Sequence, residues 1–281
     1  PKVTGDLDDE GLGFDYKWNM GWMNDFTEYM KNDPVYRGAH HDQLTFSMVY
    51  AYSEKFMLSL SHDEVVHLKG SMYTKMPGTP EQKMANLRLA YAYQMVHPGK
   101  KLLFMGQEFG QLREWSEARS LDWFVLDNPL NQGVQRWVKA LNNLYNANDA
   151  LYANDSDVMG FEWIDCDHPD KGVVSFIRRG STPSKQLLFI CNFVPVEYDN
   201  YEVGAPCFTT YKEVLNSDDV QFGGAGRLNS GKIKAIDKKT ERMPYSISVT
   251  VPPLSTVVLE YDYTDVTPED ILKKKEAEKK A

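Results

Sequence analysis

The stretch Phe56–His67 reads Phe-Met-Leu-Ser-Leu-Ser-His-Asp-Glu-Val-Val-His, and it constrains the fold more than any other part of the chain. An apolar run of strand length ends abruptly in imidazole and carboxylate. Continuous apolar runs suit strands buried on both faces, as in a parallel sheet covered by helices. Polar residues at the C-terminal end of such a strand lie where α/β enzymes keep their chemistry. A strand that merely exits into a charged loop gives the same local pattern, so the neighbouring segments decide.

Those segments alternate in period. Phe14–Asn19 carries aromatics in alternation and reads as a short strand. Asn24–Met30 reads as a helix with Asn24 or Asp25 near its N-cap, ending before Asp33-Pro34. Leu44–Tyr52 is a further amphipathic piece behind His40-His41-Asp42-Gln43. After the opening strand, Glu81–His97 has helical spacing at Met84, Leu87, Leu89, Ala90, Tyr93 and Met95, and Pro98-Gly99 stops it. Lys101–Gly106 is a second buried strand that runs into Gln107-Glu108-Phe109-Gly110. Strand, helix, strand, helix, strand is the signature of a parallel α/β sheet with right-handed crossovers. Both apolar strands deliver polar groups to the same sheet edge, which is the predicted site. A long loop, residues 111–130, precedes a helix over Gly133–Tyr145.

Near residue 156 the grammar changes. Gly160–Asp165, Gly172–Arg179, Gln186–Phe193, Tyr211–Leu215 and Tyr245–Glu260 are strand-like and separated by Gly, Pro, Asp and Asn. The expected division is an α/β unit over 1–155, an antiparallel all-β domain over 156–262, and a charged tail over 263–281. Gly223-Gly224-Ala225-Gly226 lacks both the spacing and the following helix of a nucleotide loop, and it reads as a flexible turn. In the tail, Thr267-Pro268-Glu269-Asp270 can cap a short, solvated helix.

A formal net charge of −9 argues against a nucleic-acid surface, because polyanions need clustered cations. No apolar stretch approaches the roughly 18 residues of a membrane span. Three widely spaced cysteines, with no C-x-x-C pair, indicate neither a disulfide framework nor a zinc site, and a reduced, cytoplasmic compartment is expected. Pro1-Lys2-Val3-Thr4 lacks an initiator Met, and the chain is expected to be part of a longer protein.

The residues at the strand end exclude two chemistries. A zincin helix needs His at i and i+4 with Glu after the first, whereas Asp63 follows His62 and position 66 is Val. Neighbouring side chains on an extended strand point to opposite faces, so Ser61, His62 and Asp63 cannot relay a proton along the chain. Glycoside chemistry is a third reading, compatible with the acidic balance and the aromatic content. There, carboxylates stabilise an oxocarbenium-like transition state. If His62 and Asp63 both contribute, the chain must leave the strand at this point, and Asp63 is the expected charged group. No metal and no cofactor is expected.

Phe14–Met23, Leu60–His67, Leu103–Gln111 and Arg113-Glu114-Trp115 together resemble the bacterial glycogen branching enzymes of the α-amylase superfamily, over residues 5–262. The resemblance implies a (β/α)8 TIM barrel, of which this chain holds strands six to eight, followed by an antiparallel β-sandwich. It implies an α-glucan substrate, cleavage of an α-1,4 link with retention, and transfer to a 6-hydroxyl. Asp63 then corresponds to the transition-state stabiliser and His62 to a sugar-binding residue. Trp18, Met20 and Trp22 fall near the glucan-facing loop after strand six, where they either meet substrate or pack under the loop. The family's nucleophile Asp and acid/base Glu correspond to no residue here, so the missing N-terminal part of the barrel is the expected partner. An α-glucan hydrolase and a non-catalytic glucan-binding fragment are the alternatives. Glu108 either faces the pocket or ties its loop to Arg113. His40 and His41 are expected on a loop surface, His97 as a cation at a helix C-terminus, and His67 either toward the cleft or in the loop. Residues 1–155 are expected to be unstable alone, and the β domain to fold independently.

Overall fold

The computed structural model describes residues 1–280; Ala281 of the expected tail lies outside the described residues. Strands β1 (Lys17–Trp18), β2 (Phe56–Leu60) and β3 (Lys100–Leu103) form a parallel sheet in that order, with Lys17 opposite Phe56 and Leu60 opposite Leu103. The C-terminal ends of all three therefore share one edge.

Helices α1 (Met20–Lys31), α2 (His41–Thr45) and α3 (Ser47–Tyr50) lie between β1 and β2 in the chain, α4 (Met72–Lys75) and α5 (Pro80–Val96) between β2 and β3, and α6 (Pro129–Ala147) after β3. Helix α1 begins four residues before the expected cap. Asn19 turns its side chain back to accept from the Trp22 N–H at 2.9 Å, so the cap is Asn19, not Asn24 or Asp25. That early start also shortens the Phe14–Asn19 strand to Lys17–Trp18. Thr79 and Gln82 form a capping box ahead of α5, and Pro80 occupies its first turn. From Met84 onward helix α5 is buried nearly all round, Asn86, Arg88 and Gln94 included, as suits a helix between layers.

The second half is antiparallel. Strands β4 (Phe161–Asp165), β5 (Val173–Arg179), β6 (Lys185–Asn192), β7 (Tyr198–Ala205), β8 (Thr210–Asn216), β9 (Lys232–Lys234), β10 (Tyr245–Val251) and β11 (Ser255–Asp262) precede helix α7 (Pro268–Lys280). A six-stranded sheet runs β4-β5-β6-β11-β8-β9, and β10-β7 forms a two-stranded partner. Strict alternation sorts its two faces. Val173, Ile177, Leu188 and Ile190 face the small sheet. Val174, Phe176, Leu187, Phe189 and Cys191 face the helices and share one core with Leu87, Tyr93 and Trp137. Strands β7 and β9 escape the sequence pattern because β7 opens on Tyr198-Asp199-Asn200 and β9 alternates lysines.

Three buried arginines bind the layers. Arg37 donates to the Phe193 carbonyl at 2.8 Å and the Met30 carbonyl at 2.9 Å. Arg88 donates to the Ser217 carbonyl at 3.1 Å. Arg178 donates to the Val96 and Gly160 carbonyls and to Asp155.

Two histidines depart from expectation. His97 is buried and is not the helix C-terminal cation expected; its Nδ1 donates to the Pro98 carbonyl and its Nε2 accepts from the Ser47 hydroxyl, each at 2.9 Å. Burial drives its pKa down to about 3, so it is neutral. His41 does not lie free on a loop: it opens α2 and donates Nε2 to the Cys166 carbonyl. The Gly223–Gly226 turn is pinned rather than loose. The Asp218 carboxylate accepts from the Ala225 N–H at 3.2 Å and the Arg227 N–H at 3.0 Å. No helix among the described residues is long and apolar enough to cross a membrane.

Candidate active site

Strand β2 ends at Leu60, and the chain turns at once into a single 3-10 turn, His62–Glu64. Ser61 makes the turn possible. Its hydroxyl accepts from the Asp63 N–H at 3.1 Å, and the Glu64 carboxylate reaches back to the Ser61 N–H. This reciprocal capping box uses up Glu64, which is buried. The two acids are thereby separated in role. Glu64 is an internal strut, while the side chains of His62 and Asp63 stay half exposed at 48% and 51%. Because the strand has already ended, strand alternation no longer splits His62 from Asp63, and His62 Nε2 lies 3.4 Å from Asp63 Oδ1.

Aromatic rings fix the imidazole. The His62 ring stands 5.9 Å from Phe104 and 6.5 Å from Trp115, and those two meet edge to face at 5.1 Å. The backbone ties the same corner together. Phe104 N–H donates to the Leu60 carbonyl at 3.0 Å, and Trp115 N–H donates to the Val65 carbonyl at 2.8 Å.

Asp63 borders a cleft of about 350 Å³ that Asn24, Thr27, Lys31, Lys69 and Lys75 also line. Burial, helped by the Lys31 charge, pushes the Lys75 ammonium down to about 8, and Lys75 donates to the Lys69 carbonyl. His67, with an 86% exposed side chain, faces a separate cleft of about 670 Å³ with Arg113, Glu114 and Trp115.

The aromatic residues at the end of β1 divide sharply. Trp18 and Met20 are each 41% exposed, at the edge where the strands end. Trp22 is 1% exposed and stacks on Phe26 at 5.0 Å, so it has no face to offer a ligand and serves the core. Glu108 does not pair with Arg113. Its carboxylate accepts from the Gly106 N–H at 2.6 Å, and Arg113 instead pairs with Asp122. Gly106 takes φ of 91°, a conformation that glycine tolerates and that starts the Gln107–Phe109 turn. Sequence reasoning passed over Phe104, Gln107 and Lys75. The signal available for Gln107 was an amide directly after a buried strand. Among the described residues, no three His, Cys, Asp or Glu side chains gather as a metal would require.

Residues 163–262 match the family described as alpha amylase, C-terminal all-beta domain. The chain is 49% identical over 259 residues to the 1,4-alpha-glucan branching enzyme GlgB of Geobacillus stearothermophilus, covering 92% of this chain and 40% of that protein. It is 52% identical over 249 residues to the enzyme of the same name from Hydrogenovibrio crunogenus, covering 89% of this chain and 34% of the relative. The crystal structure of an alpha-amylase from H. orenii superposes with a TM-score of 0.53 at 16% identity, over 88% of this chain and 49% of that one, which shows a shared fold. The chain thus spans two fifths or less of these branching enzymes. Within that span it is a homologue of the C-terminal portion of the 1,4-alpha-glucan branching enzymes and carries an alpha-amylase-type all-beta domain.

Proposed function

We propose that this chain is the C-terminal part of an enzyme that cleaves an α-1,4-glucan and transfers the released segment to a 6-hydroxyl. In this reading, residues 1–155 hold the sixth to eighth strands of a (β/α)8 barrel, with β1, β2 and β3 in those places. Residues 156–262 are the appended sandwich and residues 263–281 the tail. Among the described residues, β1 and β3 each have one neighbour. Five further strands would close the barrel against those edges and remove them.

One observation carries the reading: the half-exposed His62–Asp63 pair stands on a self-capped turn at the C-terminal end of the central parallel strand. That is where barrel enzymes gather catalytic groups. Asp63 serves as a fixed negative charge facing the oxocarbenium-like transition state, and His62 donates to a sugar hydroxyl. A retaining reaction also needs two carboxyl groups roughly 5–5.5 Å apart across the scissile bond. The preceding part of the barrel supplies that nucleophile and acid. Trp18 and Met20 border the glucan path. Three free thiols suit a reducing, cytoplasmic setting.

The test uses the full-length protein and its Asp63→Asn variant on amylose. The expected result is 1,6 branches with the wild type, and a kcat lowered about 10²–10³-fold in the variant, the usual loss for a preorganised charge. New reducing ends without branches would point to a hydrolase. Undiminished branching by Asp63→Asn would remove Asp63 from the mechanism.

A further inference from the structure

Gln107 lies in the turn beyond β3 and is 5% exposed. Its Nε2 donates to the Leu60 carbonyl at 3.2 Å and to the Ser61 carbonyl at 3.4 Å. These are the last two carbonyls before His62. Carbonyls only accept, so the amide nitrogen must face them, and Oε1 must face away. Oε1 has no hydrogen-bond partner among the described residues, and neither has the hydroxyl of Tyr91, itself 2% exposed on α5. Both side chains line the same small cavity, together with Val65, Ser71 and Gln111. Its free space is about 10 Å³, room for one water at most. Two buried, unpartnered polar atoms on residues that line one cavity of that size call for a shared bridging water.

The capping box holds the His62–Glu64 turn to itself but does not fix where that turn stands on the sheet. Bonds from outside the turn do so: Phe104 N–H and Gln107 Nε2 to Leu60, Trp115 N–H to Val65 just beyond it, and, at its entrance, Gln107 Nε2 to the Ser61 carbonyl. We propose that Gln107 is a positioning residue, which sets the direction in which His62 and Asp63 leave β2 and is braced from behind by one buried water shared with Tyr91. The proposal rests on the role given above to Asp63. A catalytic group displaced by about 1 Å can lose about 10²-fold in rate, so the effect falls on turnover more than on glucan binding.

The experiment compares Gln107→Met, Gln107→Asn, Tyr91→Phe and Asp63→Asn in the full-length protein, with kcat and KM on amylose. Gln107→Asn keeps the amide but shortens its reach by one methylene, which guards against a Met variant that fails to fold. The expected outcome for both Gln107 variants is a kcat lowered about 10–100-fold with KM within about twofold, and a smaller loss for Tyr91→Phe. A high-resolution crystal structure of the unaltered protein should show a water within hydrogen-bonding distance of Gln107 Oε1 and the Tyr91 hydroxyl. If Asp63→Asn abolishes turnover while a folded Gln107 variant retains it, the positioning role is overturned and the Asp63 reading stands. If Asp63→Asn retains turnover, the site reading fails and takes this proposal with it. A cavity without density for water overturns the brace.

Discussion

Arg178 Nη2 lies 2.8 Å from Asp155 Oδ1, and the two side chains are only 0% and 5% exposed. Lys100 Nζ meets the other carboxylate oxygen at 3.0 Å. The trio joins β3 to β5, and so joins the parallel sheet to the sandwich. Removing the carboxylate leaves the Arg178 guanidinium buried without its counter-charge. Asp155→Ala is therefore expected to cost about 3–5 kcal/mol of stability, measured by chemical denaturation. Burial alone raises the Asp155 pKa, but the charges of Lys101, Arg178 and Lys100 outweigh it and hold the carboxyl below its ordinary value of 3.8. The folded-state pKa is thus depressed. Its stabilisation is complete above the ordinary carboxylate range and is lost as pH falls through the lower folded value. The variant should lose less stability than the wild type on acidification below about pH 4.

His97 also weakens the fold on acidification, over a window that begins at higher pH. Its folded pKa is near 3 against an ordinary 6.5, so between those values the unfolded chain binds more protons. Stability then rises with pH across that window and falls as the medium is acidified. From pH 7 to pH 5 this one group should remove about 2 kcal/mol. His97→Gln, which keeps a polar partner for Ser47, should flatten that part of the stability-pH curve even where it lowers stability at neutral pH. An unchanged slope would refute a neutral, buried imidazole.

Gly133 is a glycine inside a helix, where alanine would ordinarily be favoured by about 1 kcal/mol. Here a Cβ would sit 2.4 Å from the Phe222 carbonyl oxygen and 2.7 Å from its carbon. The clash is with backbone, which cannot swing aside. Gly133→Ala is expected to destabilise the protein by about 1–3 kcal/mol, so crowding outweighs propensity. Thermal denaturation gives the sign directly.

Trp18 and Trp22 should separate binding from folding. Trp22→Ala opens a cavity in the core and should cost about 3–5 kcal/mol. Trp18→Ala, at an exposed edge, should change stability by no more than about 0.5 kcal/mol. If Trp18 borders the glucan, its loss raises KM for amylose in the full-length protein; an unchanged KM assigns it no part in binding.

These outcomes also mark how far the sequence could be read. Strands β2 and β3 and helix α5 were legible because each keeps one period, and the placing of His62 and Asp63 at a strand end followed from that. Trp22 was not separable from Trp18 by type or spacing. What separates them is the Asn19 cap, which starts α1 early and rolls Trp22 against Phe26. Gln107 was illegible for a different reason: its partners, the carbonyls of Leu60 and Ser61, lie 47 and 46 positions away in the chain. His97 looked like a helix-end cation because sequence shows the helix end but not the Ser47 hydroxyl that meets it.

The helix-facing side of the six-stranded sheet belongs to one continuous core, in which Phe176 and Phe189 share a cluster with residues of α5 and α6. The change of grammar near residue 156 therefore marks a seam in the chain but not in the interior. Grafting this antiparallel domain onto another α/β unit, or swapping it with that of a relative, means transplanting one wall of a shared interior. Such a hybrid holds together only if the incoming sheet brings side chains matched in volume to Leu87, Tyr93 and Trp137.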